Sequence, residues 1–544
     1  MSAGSKPVQE GPGAAWLLRP PWLLLGFLLL ALVWRAPGLL QEELNLDESL
    51  YRLIGRSLAE GSAPYVVYWD RKPVATFLIT GATHALFGGG LLAFRVLGAL
   101  MVGLSGWLLA CAGRGLFPGL PFAGPVAGLL YVLFSIGNGG AGTNTEHYLT
   151  PFGLAGLCLL LRGAGQPGGV TTPQALLAGL AFGLAIQVKQ YAVFDAAAYM
   201  LITAMLVLGR QPAGGFWQLR RVFVLVGFAA ALPLLAVLFW YLAIGRLDVW
   251  IEANISANLV LLDGLSQPLP LPALWGGLRG FDALFLVSGI TLCVAPLLPA
   301  GRAAWRGWLA LLIWWAFMAM FLANSRRFAD HFFLQVLPVL ALTTAFGLSL
   351  GRVTLAGLGA WGRRLAGPAL LLVLGLCAVR AGATSAGAAV EMLWRRHVGG
   401  EAHWGDRTAQ LADLLGPRIA GPEDVLVFGR WLGLHRLIGT RPASRFPFIE
   451  HLWAGYAPVD GPAEIARLLA ARPGFIVMES RLLNASTELG PTAAAVFAPL
   501  HAALARDYVL ERRIGPSISW RGGAMDGSID AVVFRRRDRQ GPPA

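Results

Sequence analysis

The run from Val222 to Ile244, VFVLVGFAAALPLLAVLFWYLAI, carries 23 residues without a charge. A helix needs about 20 mostly apolar residues to cross a bilayer, because there every backbone polar group must be satisfied inside the segment. This run meets that demand. Working outward, runs of the same kind recur at 16–37, 91–112, 122–138, 149–161, 174–188, 191–208, 271–298, 308–323, 332–350 and 368–390, giving about eleven spans. Over 544 residues, 56% are hydrophobic and 13% charged, and the mean hydropathy is +0.61, too apolar for a soluble fold of this length. The chain reads as an α-helical polytopic membrane protein. The first run lacks the flanks of a cleaved signal and is expected to be retained.

The apolar pattern stops at Val390. From Glu391 to Ala544, strand-like runs at 424–428, 475–478, 508–510 and 531–534 alternate with helical stretches near 405–416, 462–472 and 492–507. Two domains are therefore expected: a membrane domain over 1–390 and a small α/β domain over 391–544. All four cysteines fall in apolar runs and read as small hydrophobes.

Charge orients the spans. With the amino terminus inside and 73–88 re-entrant or interfacial, inside loops hold Arg114, Arg162, Arg210, Arg220, Arg221, Arg302, Arg306, Arg352, Arg363 and Arg364. The long loop 38–90, the turn 143–148, Lys189, 324–331 and the carboxyl-terminal domain then lie outside. The net charge of +13 is spread among loops instead of forming one basic face, which argues against nucleic acid as a partner. No phosphate-binding or dinucleotide glycine loop has its strand-to-helix setting.

Four outer sites carry candidate chemistry. Leu50, Leu53, Ile54 and Leu58 recur at helical spacing, with Asp47 placed to cap and Gly61 to stop a short interfacial helix. Asp47 and Glu48 are either first-turn acids or catalytic ones. Tyr65, Tyr68, Arg71 and Lys72 form either an aromatic belt or a phosphate site with aromatic walls. The chain has three lysines, Lys6, Lys72 and Lys189, and two of them fall outside, where orientation disfavours cations. Glu146 and His147 stand at one outer helix end; Arg326, Arg327, Asp330 and His331 crowd another, where an anionic ligand explains two arginines against the inside bias. His147 and His331 with Glu146 and Asp330 are candidates for a divalent metal, although no ligand spacing such as His-Glu-x-x-His is present; no other cofactor is called for.

The ordered set Leu46-Asp47-Glu48, Tyr51, Gly61, Pro64-Tyr65, Asp70, Lys72-Pro73, Phe87-Gly88 and Arg95 resembles the polyprenyl-phosphate-sugar-dependent glycosyltransferases of the GT-C fold, family 39, which include lipid A aminoarabinose transferases and protein O-mannosyltransferases. Thr145-Glu146 and the stretch from Arg327 to Pro338 add to the likeness. It implies Asp47 as catalytic base, with Glu48 and Glu146 as further catalytic candidates. It also implies Lys72 as the donor-phosphate ligand, with Arg71, Lys189, Arg326, Arg327 and His331 beside it and Tyr51, Tyr65 and Tyr68 lining the pocket. Inversion at the sugar carbon, a cell inner-membrane location, a periplasmic active site and a lipid, glycan or protein acceptor are expectations from the same source. Val74 stands where the family commonly has a second proline, and Arg71 where some relatives have an acid, so a metal site using that acid does not carry over.

A transporter or flippase for a lipid-linked anion is the alternative, since the same cations bind phosphate in either case. An acid beside phosphate-binding cations serves proton removal better than carriage, and no repeated pair of broken helices is evident.

Overall fold

The computed structural model describes residues 20–209, 215–263, 271–325, 328–515 and 529–539. Each of the eleven apolar segments forms helix. In chain order with the outer loop they are α1 (Pro20–Arg35), α2 (Leu46–Ala59), α3 (Val74–Phe87), α4 (Leu91–Leu116), α5 (Ala123–Phe134), α6 (Thr145–Ala164), α7 (Thr172–Val188), α8 (Ala192–Leu208), α9 (Gly215–Ala243), α10 (Leu271–Gly280), α11 (Asp282–Val294), α12 (Trp305–Ser325), α13 (Phe333–Gly357) and α14 (Ala360–His397). Residues 16–19 of the first expected span lie outside the described residues.

Among the described residues, six helices are long and apolar enough to cross a membrane unaided. The segment expected at 271–298 is instead two helices, α10 and α11, bent by 89°. The break falls beside Gly280, where a Cβ would stand 1.5 Å from Asn138 Oδ1, and Asn138 Nδ2 in turn donates to the Gly277 carbonyl at 2.8 Å. A side chain at 280 would displace that contact. The last helix runs on to His397, beyond the expected end at 390.

The loop between α1 and α4 is built from α2 and α3. At 14 residues, α3 is only about 21 Å long, short of the hydrocarbon thickness. It packs backbone to backbone on α2: a Cβ on Gly55 would meet Thr80 Oγ1 at 2.4 Å and Gly81 N at 2.8 Å. Asn45, not Asp47, caps α2, its side chain accepting from Glu48 N at 2.7 Å. Asp47 sits in the first turn. The helix closes through Glu60 N–H to Arg56 O at 3.0 Å, followed by Gly61 at φ +97°.

The carboxyl-terminal region holds a four-stranded sheet ordered β1 (Val425–Phe428), β2 (Phe475–Glu479), β4 (Ala531–Arg536), β3 (Tyr508–Ile514). β1 and β2 pair in parallel and the other neighbours are antiparallel. Helix α15 (Arg407–Leu415) precedes β1, α16 (Gly461–Ala470) lies between β1 and β2, and α17 (Pro491–Asp507) lies between β2 and β3. One apolar face of this region buries itself against the α2–α3 loop. Leu50, Tyr51, Ile54, Tyr65, Trp69 and Phe77 share a single core with Phe428, Leu432, Phe446, Leu452 and Tyr456. Burial of aromatic rings on this scale ties loop and sheet together.

Candidate active site

Four elements converge at one end of the bundle: the start of α2, the turn after Pro64, the α7–α8 junction and the segment leading into α13. Asp47 Oδ2 lies 3.7 Å from Lys72 Nζ and 3.8 Å from His331 Nε2. The carboxylate is partly exposed, with 19% of its side chain reached by solvent. Burial alone would raise its pKa, but Lys72, His331, the nearby Tyr51 hydroxyl and Arg71 outweigh burial and hold the carboxyl well below the usual range. Lys72 Nζ also sits over the Tyr51 ring, 5.5 Å from its centroid.

The turn that presents Lys72 is strained. Tyr65 adopts φ +67°, uncommon for a side chain of its bulk. Three contacts hold it there: its hydroxyl donates to the Lys72 carbonyl at 2.6 Å, its ring stacks on Tyr241, and its carbonyl accepts from Arg445 Nε at 3.0 Å. Trp69 N–H donates to Arg445 O at 2.7 Å, and the Trp69 ring meets His451 edge-on at 4.8 Å. The stretch 441–448 of the sheet region therefore braces the lysine turn directly.

Behind Asp47, Lys189 and Glu146 form an ion pair with both side chains buried. Lys189 Nζ lies 4.0 Å from the centre of the Phe332 ring. Its turn is anchored from α13: Gln335 Nε2 donates to the Tyr191 carbonyl at 3.0 Å and to Asp195 Oδ2 at 2.7 Å. Arg71 N–H donates to Asp70 Oδ1 at 2.7 Å, and the Arg71 guanidinium stands over Tyr456 at 5.4 Å. Burial raises the Asp70 carboxyl, with Lys72 opposing.

Several expected residues stand apart. Glu48 faces away from Asp47: it accepts from Arg95 Nε at 2.7 Å and from Thr143 N at 3.1 Å, fully buried, so its charge is spent on holding α2 to α4. Tyr65 and Tyr68 are buried too, the former beneath the lysine turn and the latter at a cavity on the opposite side of α2. His147 Nδ1 accepts from Asn144 N at 3.1 Å, closing its own helix start, which removes it from any metal set with His331. Among the described residues no three His, Cys, Asp or Glu side chains are placed to hold a metal ion together. Arg326 and Arg327 lie outside the described residues.

The stretch 441–448, which the sequence offers either as an overhang of the membrane site or as a structural loop, meets it through Arg445, whereas sequence reasoning missed Asp195, Gln335, His451 and Tyr456. Asp195 carried a signal, being an acid within an apolar run; the others were visible only once distant segments met.

Comparison with known proteins follows the same outline. The family model described as dolichyl-phosphate-mannose-protein mannosyltransferase matches residues 70–241, which contain Lys72, Glu146 and Lys189. Over that segment the chain resembles the family, and its likeness to solved structures is one of fold. The chain is similar in fold to ArnT from Cupriavidus metallidurans bound to undecaprenyl phosphate, with a TM-score of 0.60 and 18% identity over 95% of this chain and 98% of that one. The same protein in its apo state gives 0.56 and 17% over 96% and 98%. An Archaeoglobus fulgidus oligosaccharyltransferase, in complex with zinc and sulfate, gives 0.50 and 13% over 92% and 73%. No curated protein matches the chain by sequence.

Proposed function

We propose that the chain moves a sugar from a polyprenyl phosphate to an acceptor hydroxyl or amine, with Asp47 as general base, at the periplasmic face of the inner membrane. The observation that carries this reading is Asp47 Oδ2 standing 3.7 Å from Lys72 Nζ and 3.8 Å from His331 Nε2 in a partly open position.

The acceptor heteroatom attacks the anomeric carbon, its proton passes to Asp47, and the bond from that carbon to the phosphate oxygen breaks with its electrons leaving on the phosphate. Attack from the side opposite the phosphate inverts the centre. Lys72 meets the charge growing on the departing oxygen, with Arg71 and His331 beside it. Glu146 holds Lys189 in place rather than taking a proton.

A carboxylate depressed by cations is a weak base, and the donor corrects that. A phosphate beside Lys72 competes with Asp47 for the ammonium, and closing the site removes water; both raise the basicity of Asp47. The acceptor is lipid A, another glycan or a protein.

The test is transfer of labelled sugar from a panel of polyprenyl-phosphate sugars in membranes carrying wild type, Asp47→Asn or Lys72→Ala. Transfer that vanishes in Asp47→Asn while donor binding persists supports the reading. Robust transfer by Asp47→Asn, or lipid movement without transfer by wild type, overturns it.

A further inference from the structure

On the opposite side of α2 from Asp47 lies a cavity of about 140 Å³, bounded by α2, the carboxyl-terminal end of α3 and the segment 432–441 of the sheet region. Helix geometry separates the two sites: positions 47, 51 and 54 share one face, whereas 49, 52, 53 and 56 face the other way. The cavity is several times the ~30 Å³ that one liquid water occupies, enough for a phosphate-sized group.

Its lining is cationic. Arg52, Arg56, Arg436 and Arg441 contribute four guanidiniums, and His84 and His435 an imidazole each, against the single lining acid Glu60. Internal pairing leaves capacity. Arg52 and Arg436 share Glu42, at 3.2 Å and 2.6 Å, while Arg56 and Arg441 share Glu60, at 2.8 Å and 3.3 Å. Each carboxylate thus serves two arginines, an excess of two positive charges among these six groups, and the nearby Glu43, whose Oε2 accepts from Gly433 N at 3.4 Å, has its carboxyl pushed up to about 8 by burial. A planar fork of donors that cannot lose its proton is the chemistry that recognises phosphate. Tyr68 adds an aromatic wall, as sugar rings favour.

We propose that this cavity is a second anion site, separate from the Asp47 centre, that takes a phosphate ester of a sugar or other polyol. The group arrives either on a free sugar phosphate or on a lipid headgroup. Because the site spans loop and sheet region, its occupation also clamps the two together.

Purified full-length protein in detergent is titrated with a radiolabelled hexose 6-phosphate and, in a separate arm, with nanodiscs rich in phosphatidylglycerol against nanodiscs of phosphatidylcholine. Wild type, the double variant Arg56→Ala/Arg441→Ala, the cavity-filling Ser57→Leu and Lys72→Ala are compared, with a thermal melt on each. The expected result is saturable binding in at least one arm, weakened tenfold or more by both the double variant and Ser57→Leu and unchanged by Lys72→Ala. The arm that responds identifies the source. Binding that survives both cavity variants, binding that Lys72→Ala abolishes, or no saturable binding of either probe by wild type overturns the proposal. Ser57→Leu removes no charge, so it decides the matter if the arginine variant melts early.

Discussion

Arg95 Nε donates to Glu48 Oε1 at 2.7 Å, with both side chains buried. The partner carboxylate one residue earlier, Asp47, turns the other way toward Lys72, so adjacent acids do different work: one fastens α2 to the bundle and the other faces the site. Removing one member of a buried pair strands the other, at a cost of about 3–5 kcal/mol. Glu48→Ala and Arg95→Ala are expected to lower the melting temperature in detergent strongly, whereas Asp47→Ala lowers it less, its contacts to Lys72 and His331 being longer and partly exposed. Equal melting of all three would show that the pair does not anchor the loop.

Asp47→Asn keeps the shape of the side chain and removes its basicity. Turnover should fall by about a hundred- to ten-thousand-fold, the range of positioned general-base catalysis. Binding of a labelled polyprenyl phosphate should hold or tighten, because Lys72 loses its competitor. In wild type the acid limb of the rate profile for free enzyme should lie below the ordinary carboxylate value of about 4, following the depressed carboxyl. A kcat/KM profile that fell nearer neutrality would assign the base elsewhere.

Lys72→Ala should chiefly weaken donor capture and stabilisation of the leaving phosphate, and Lys72→Arg should not restore full rate, since a planar fork does not reproduce a compact ammonium. Tyr65→Phe removes the hydrogen bond to the Lys72 carbonyl, worth about 1 kcal/mol, and leaves the charge in place. A smaller loss of rate than Lys72→Ala is expected, measured as donor KM and kcat separately. Equal losses would mean that the turn, not the ammonium, is what matters.

The Asp70 carboxyl is raised by burial. A raised acid contributes stability below its unfolded pKa of about 4 and loses it as pH rises through the folded value. Asp70→Asn should therefore melt higher than wild type at about pH 7, with the gap closing toward about pH 4. Thermal melts across that window check the sign; a variant that melts lower at neutrality would show Asp70 to be held as a wanted charge.

Gly55→Val drives a side chain into Thr80 and the Gly81 backbone. Overpacking of this kind costs about 1–3 kcal/mol. Melting should drop and donor KM should rise together, because α2 carries Asp47; a Val variant with wild-type melting would mean that α2 and α3 separate freely.

The spans were legible because bilayer solvation imposes a local rule: a helix must be long and apolar by itself, and 222–244 satisfies it without reference to any neighbour. The strand and helix pattern after Glu391 was legible for the same reason, alternation of period being local. Lys72 was marked by composition, two of the three lysines falling in segments expected on the side where cations are disfavoured, and Asp47 by family likeness. Tertiary structure alone decided the rest. It gave the cap to Asn45, turned Glu48 to Arg95 and His147 back on Asn144, bent 271–298 at Gly280, and set Arg445 under Tyr65. Each of these depends on which distant segment arrives at a given side chain, and a pairing energy exists only once both partners are in place.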